Sequence, residues 1–174
     1  MGYVKNIVDQ GGKTYRGISR VHHPSWSGWA KIDALKKRAG FPGSLKYERS
    51  LQASVKIFYK KRYWDKFLGD DISDQQVAME LYDTGVNMGV RRAVRFLQNA
   101  LNVFNRNQKN YNDLIVDGWL GHQTLKVPSK HLQQDGNTTT LLKLMNVQQG
   151  ARYVAIMVND STQERYARGR LKRA

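Results

Sequence analysis

The chain has 174 residues and not one cysteine. That absence excludes thiol chemistry, a disulfide framework and a cysteine-based zinc site, and leaves the compartment open. No segment approaches the length of apolar run that a transmembrane helix needs. The first residues, Met1-Gly2-Tyr3-Val4-Lys5-Asn6, lack the apolar core of a signal peptide. They also miss the myristoylation pattern, because Asn6 stands where Ser or Thr is required. Acids are scarce: 14 Asp+Glu face 29 Lys+Arg, a formal charge of +15. Such a balance favours polyanions, among them nucleic acid, an anionic membrane surface or a cell-wall polymer. No nucleic-acid-binding motif accompanies the charge, so nucleic acid is not an expected partner, and neither is membrane insertion. Internal repeats, low-complexity tracts and clear β alternation are missing too. No residue pattern calls for a metal or an organic cofactor.

What is present is helical periodicity. Leu81, Gly85 and Met88 share one face, and Val90, Val94, Leu97 and Leu101 share another. The two stripes predict amphipathic helices broken at Asn87-Met88-Gly89, wide enough in their apolar faces to form the middle of a small domain. Asn beside Gly predicts a junction held by side-chain hydrogen bonds. Further helices are expected over 29–39, 50–63 and 138–159, and Ser73 or Asp74 is the expected cap of the central helix. Gly121 fits the entry to a short helix holding Gln123 to Leu125, and residues 102–113 read as an Asn-rich surface insertion. The basic residues after Glu164 read as a solvated tail. The expected class is all-α, a compact helical domain.

Tyr3 to Ser19 reads as an irregular, polar, glycine-punctuated stretch. Gly11-Gly12 permits a tight turn or a close approach of ligand. Asp9 just before it reads equally as a turn cap and as a substrate-facing acid. The adjacent His22 and His23 are a weak metal signal with no third ligand nearby. Trp26 and Trp29 suit either a sugar platform or the core, and the core reading is favoured for at least one.

Several stretches, taken together and in order, resemble a known family. Tyr3-Val4-Lys5-Asn6-Ile7-Val8-Asp9-Gln10-Gly11-Gly12-Lys13-Thr14-Tyr15-Arg16-Gly17-Ile18 is similar to the N-terminal signature of the lysozyme-like muramidases of glycoside hydrolase family 108. Tyr63-Trp64-Asp65 and Asp83-Thr84-Gly85-Val86-Asn87-Met88-Gly89 resemble further motifs of that family. The helix with Leu97-Gln98, and Asp117-Gly118-Trp119-Leu120-Gly121-His122-Gln123-Thr124-Leu125, resemble the predicted peptidoglycan-binding segment that follows in such proteins. The resemblance implies a lysozyme-like muramidase segment over 1–89 and a peptidoglycan-binding helical segment over 90–174, packed into the same globule. It implies a peptidoglycan-hydrolysing protein, endolysin or secretion-activator-like, acting on the cell wall in the periplasm or outside the cell. The alternative is a non-catalytic wall-binding or secretion-accessory module.

The resemblance also implies residues. Asp9 and Thr14 take catalytic positions, and Tyr3, Tyr15, Asn87 and Trp64 substrate-binding ones. The chain departs from the pattern at Lys5, Asn6 and Ile7, and at Arg170, where Trp often follows the glycine. The family's catalytic glutamate stands three residues before the motif tyrosine. With Tyr3 as that tyrosine, the glutamate and its helix fall immediately ahead of Met1. A start site assigned too late explains this, as does a genuine loss of catalysis, and the first is the expectation. The acid matters because glycosidic cleavage needs a carboxyl of raised pKa to protonate the leaving oxygen, with a second carboxylate beside it.

Overall fold

The computed structural model describes residues 2–5 and 12–174, with the backbone alone at residues 5, 122, 123 and 132. Asp9 lies outside the described residues. Backbone proximity divides the chain into two compact units, Met1–Arg62 and Tyr63–Ala174. The helical class holds, with one addition. The stretch read as irregular carries a small antiparallel sheet, β1 (Tyr3–Lys5), β2 (Lys13–Tyr15) and β3 (Ile18–Ser19), in the order β1-β2-β3. Strands of two and three residues are too short to leave a period-two signature.

In the first unit the sheet is followed by α1 (Gly28–Leu35) and α2 (Arg49–Arg62). The core joins Tyr15 and Ile18 of the sheet to Trp29, Ile32 and Leu35 of α1, and to Leu45 and Leu51. Trp29 is a core residue, its indole N–H donating to the His23 carbonyl at 2.8 Å. Trp26 covers Gly28, where a Cβ would fall 2.2 Å from the ring, so only glycine fits beneath it. The end of β3 is tied to α1 by a bidentate pair: Arg20 donates to both Asp33 carboxylate oxygens at 2.9 and 2.8 Å. Hydrogen bonds from Arg20 and then Lys36 hold the Asp33 carboxyl well below the usual range. Helix α1 stops at Leu35, four residues before its expected end, and Lys36 turns back onto Asp33.

In the second unit, α3 (Gln75–Met88) and α4 (Val90–Val103) form the expected pair. Asp74, one of the two expected caps, accepts from the Gln76 and Val77 amides, both at 2.9 Å. The break falls at Gly89, whose φ of +90° is a conformation that a side chain resists. Asn87 secures it, donating to the Asp83 carbonyl at 2.7 Å and the Asp83 carboxylate at 3.2 Å. The α4 stripe (Ala93, Val94, Leu97, Ala100 and Leu101) is wholly buried with Val77, Ala78 and Leu81 of α3. Leu141 and Met145 of α6 (Thr139–Asn159) complete this core. Each buried Leu or Val contributes about 1.5–3 kcal/mol relative to leaving it in water.

Three sequence expectations need amendment here. The Asn-rich stretch after α4 lies at the surface as expected, exposed over 106–109, but it is pinned at one buried residue. Asn105 is fully buried and donates to the Tyr111 carbonyl at 2.6 Å and to Asp113 at 2.8 Å. The Tyr111 hydroxyl donates to the Leu101 carbonyl at 2.6 Å, and burial pushes its pKa up to about 12. The short helix at 123–125 is the start of a longer α5 (His122–Asp135) that carries Pro128 inside it. The basic tail is folded: a 3-10 turn (Ser161–Tyr166) leads into α7 (Ala167–Leu171). Arg170 there lies over the rings of Tyr153 and Tyr166, and donates to Gln163 at 2.9 Å.

Candidate functional site

The sheet of the first unit carries three of the candidate residues, but not on one face. Residues directly opposite on neighbouring strands project to the same side, and successive residues alternate. Tyr3 pairs with Tyr15 and Tyr15 with Ile18, so these three share a face. Val4, Thr14 and Ser19 share the other. The register therefore separates Thr14 from the two tyrosines.

Tyr15 is enclosed, with 2% of its surface exposed. Its hydroxyl donates to the Leu45 carbonyl at 3.2 Å and accepts from the Gln52 amide at 2.8 Å. Tyr3 is half-buried, edge-on to Phe41 at 5.2 Å. It lines a shallow groove of ≈ 370 Å³ with Gly2, Tyr15, Arg16, Pro42 and Lys46. Arg16 and Lys46 make that groove basic. Its rim is set by the turn between β2 and β3, where Tyr59 donates to the Arg16 carbonyl at 2.6 Å. Gly17 has a φ of +81°, and a Cβ there would meet the Tyr59 oxygen at 2.7 Å. Both conditions require glycine. Thr14 is half-buried on the central strand.

In the second unit, Trp64 donates to Asp70 at 2.7 Å and packs edge-on against Phe67 and Tyr82, at 5.6 and 5.9 Å. Its indole covers Gly69, where a Cβ would sit 2.4 Å from the ring. Asn87 is exposed, with its amide nitrogen committed to Asp83 at the helix end. Both residues thus carry local structure as well as any role toward a ligand.

Glu80 is the carboxyl in this unit whose environment most resembles that of a general acid, since burial raises its pKa. Its oxygens are nevertheless occupied. Thr84 donates to Oε1 at 2.9 Å. With the Asn146 amide turned so that its nitrogen faces the carboxylate, that nitrogen reaches Oε1 at 3.0 Å and Oε2 at 3.2 Å. Gln149, fully buried, donates on to the Thr84 hydroxyl at 2.8 Å. The chain Asn146–Glu80–Thr84–Gln149 clamps α3 to α6.

One polar centre has no signal in local sequence. Gln98 is 1% exposed on α4 and reaches across to the Asp117-Gly118-Trp119 turn. It donates to the Asp117 carboxylate at 2.9 Å and the Trp119 carbonyl at 3.1 Å, and accepts from the Gly118 amide at 2.9 Å. Two stretches singled out separately in the sequence are thus one construction.

The family model described as Glycosyl hydrolase 108 matches residues 1–89, and the model described as Predicted Peptidoglycan domain matches residues 92–174. No curated protein matches the chain. Among solved structures, that of Brucella abortus SagA is similar, with a TM-score of 0.51 and 22% identity over 99% of this chain and 86% of that one. At that identity the likeness concerns the fold alone.

Proposed function

From the premise that the chain belongs to the glycosyl hydrolase 108 family, we propose that it is a muramidase-type protein that hydrolyses the glycan strands of peptidoglycan by general acid catalysis. The observation that carries the reading is the pair of family matches, hydrolase over 1–89 and peptidoglycan domain over 92–174. The wall is then its place of action, in the periplasm or outside the cell, in the manner of an endolysin or a secretion activator. Among the described residues no helix is long and apolar enough to cross a membrane.

The chemistry assigns roles. A carboxylic acid protonates the glycosidic oxygen as the bond breaks, and a second carboxylate stabilises the oxocarbenium-like centre or activates water. The family pattern gives the first role to a glutamate. Asp9 is the second carboxylate, and Thr14 orients water or the acid. Tyr3 offers its ring to a sugar. Tyr15, largely enclosed, closes the floor of the groove beside it and meets substrate through the edge left there. Asn87 and Trp64 fix the α3 end and the turn before it, and meet substrate through whatever surface those contacts leave. Arg16 and Lys46 draw the anionic strand to the groove.

The second family match also favours the alternative, a wall-binding module without hydrolysis. Incubation of purified, insoluble peptidoglycan with the 174-residue protein separates the readings. Clearing of turbidity that Asp9→Asn and Thr14→Ala each reduce by about tenfold or more supports hydrolysis. Retention on the pellet without clearing assigns wall binding alone to these 174 residues. Neither clearing nor retention refutes both.

A further inference from the structure

We propose that Trp119 and the arginines Arg91, Arg92 and Arg95 form a binding site for a sugar that carries a carboxylate, the muramyl residue of the wall with its pendent peptide acid. The inference rests on the wall-acting reading above and locates one of its contacts.

The arginines line a pocket of ≈ 190 Å³ with Met88 and Gly89, at the start of α4. Three arginines line one small pocket, and an anion bound there offsets their mutual repulsion. Each has five N–H donors in a planar fork suited to a carboxylate. Few are spent within the protein. Arg91 Nη2 donates to the Asp117 carbonyl at 3.3 Å, and Arg92 Nη1 to the Met88 carbonyl at 3.4 Å. Among the described residues no carboxylate forms an ion pair with any of the three. Asp117, the acid that feels the Arg91 charge, already accepts at Oδ1 from Gln98 and from the Trp119 amide, at 2.9 and 2.8 Å.

The pocket is smaller than the roughly 300 Å³ at which sites for whole organic ligands begin. It suits the charged group and leaves the sugar ring outside. Trp119 stands there. Its side chain is 65% exposed, and the guanidinium carbon of Arg91 lies 5.4 Å from its ring centroid. Arg91 therefore belongs to both the pocket and the aromatic surface. Ile115 and Val116, nearby in the chain, are exposed as well.

An exposed tryptophan on a mobile loop would recognise little. This one is held from three directions. Gln98 binds its carbonyl, Asp117 its amide, and Gly118 lies against the Arg91 backbone. A Cβ at Gly118 would be 2.6 Å from the Arg91 carbonyl oxygen, so the turn rests directly on the helix that carries the arginines. Pre-organisation of this kind lowers the entropy lost on binding.

The test is co-sedimentation with peptidoglycan from which covalently attached phosphate polymers have been stripped with hydrofluoric acid. The proteins compared are the wild type, Trp119→Ala, Trp119→Phe, the double variant Arg92→Gln/Arg95→Gln, and a control, Lys61→Gln/Arg62→Gln, on the basic end of α2. Thermal melts accompany each, and the variants are expected to melt with the wild type because the replaced side chains are partly or fully exposed. The expected result is about tenfold or greater weakening for Trp119→Ala and for the arginine pair, recovery in Trp119→Phe, and a control within about twofold of wild type. The arginine pair also loses the salt dependence that the wild type shows. Equal retention of wild type and site variants overturns the site and leaves the wall-acting reading standing. Weakening in only one of the two site variants overturns the joint site. Loss of wild-type retention on stripping overturns the carboxylate assignment in favour of phosphate. No wild-type retention on stripped or unstripped wall overturns the site and the wall-acting reading together. A variant whose melt falls is judged instead by quenching of wild-type fluorescence with muramyl dipeptide against N-acetylglucosamine; quenching by neither overturns the site.

Discussion

Replacement of Gln98 by Ala should destabilise the second unit by about 4 kcal/mol. The side chain is 1% exposed and makes three contacts with a turn some twenty residues away. Truncation leaves the buried Gly118 N–H without an acceptor, a cost of about 1–3 kcal/mol. It removes the donor to the Trp119 carbonyl, for about 1 kcal/mol, and the apolar stem with its packing, for about 1 kcal/mol more. The Asp117 carboxylate faces water and is rehydrated, so no energy is assigned to that bond. Urea unfolding followed by tryptophan fluorescence measures the sum. With a slope of about 1–3 kcal/mol per molar, the midpoint falls by about 2 M while the slope is unchanged. Hydrogen exchange supplies a local check: the Gly118 amide is protected in the wild type and exchanges freely in the variant. A midpoint shift below about 0.5 M, or a Gly118 amide equally protected in both proteins, would refute the view that Gln98 organises the turn.

Three further outcomes follow from the same structure. Gly118→Ala places a Cβ 2.6 Å from the Arg91 carbonyl at a φ of +80°, and costs about 2 kcal/mol or more, whereas Gly169→Ala on α7 meets nothing within 4 Å and does not destabilise; paired urea titrations check both. His131 is 1% exposed, and burial lowers its pKa below the ordinary 6.5 despite Asp135 nearby; the unfolded chain then binds the proton more readily, so its contribution to stability is full above 6.5 and is lost as pH falls from there through the folded value, and an NMR titration of its ring at or above 6.5 would contradict this. Glu80 is shifted the other way: burial raises it above 4.5, the folded state holds the proton longer, and its contribution is lost as pH rises from 4.5 through the folded value, so Glu80→Gln should flatten stability over that window, and an unchanged pH slope would count against the shift.

Much of the second unit was legible from the chain. The α3–α4 pair showed in its apolar stripes, its break in Asn87 and Gly89, and its start in Asp74, because capping and glycine conformation are local matters. What escaped was non-local or too short. The sheet has strands of three, three and two residues, so Tyr15 read as part of an irregular stretch, while it stands on the central strand with its ring in the core. Helix α5 was foreseen only at its first turn, because Pro128 within it reads as a breaker and its remainder is largely polar. The folding-back of Arg170 onto Tyr153 and Tyr166 joins residues on separate elements, and a run of basic side chains gives no hint of it. The candidate site was legible as a series of motifs. Periodicity said nothing of how Tyr3 and Thr14 divide between the faces of the sheet, since that depends on register.

The central claim concerns the bond that is cut. Soluble fragments released from purified peptidoglycan, reduced with borohydride and weighed by mass spectrometry, carry the answer at their reduced ends. A muramidase leaves muramic acid at that end, so reduced fragments should terminate in muramitol. Fragments ending in reduced glucosamine, or peptides released without any new reducing sugar, would contradict the account.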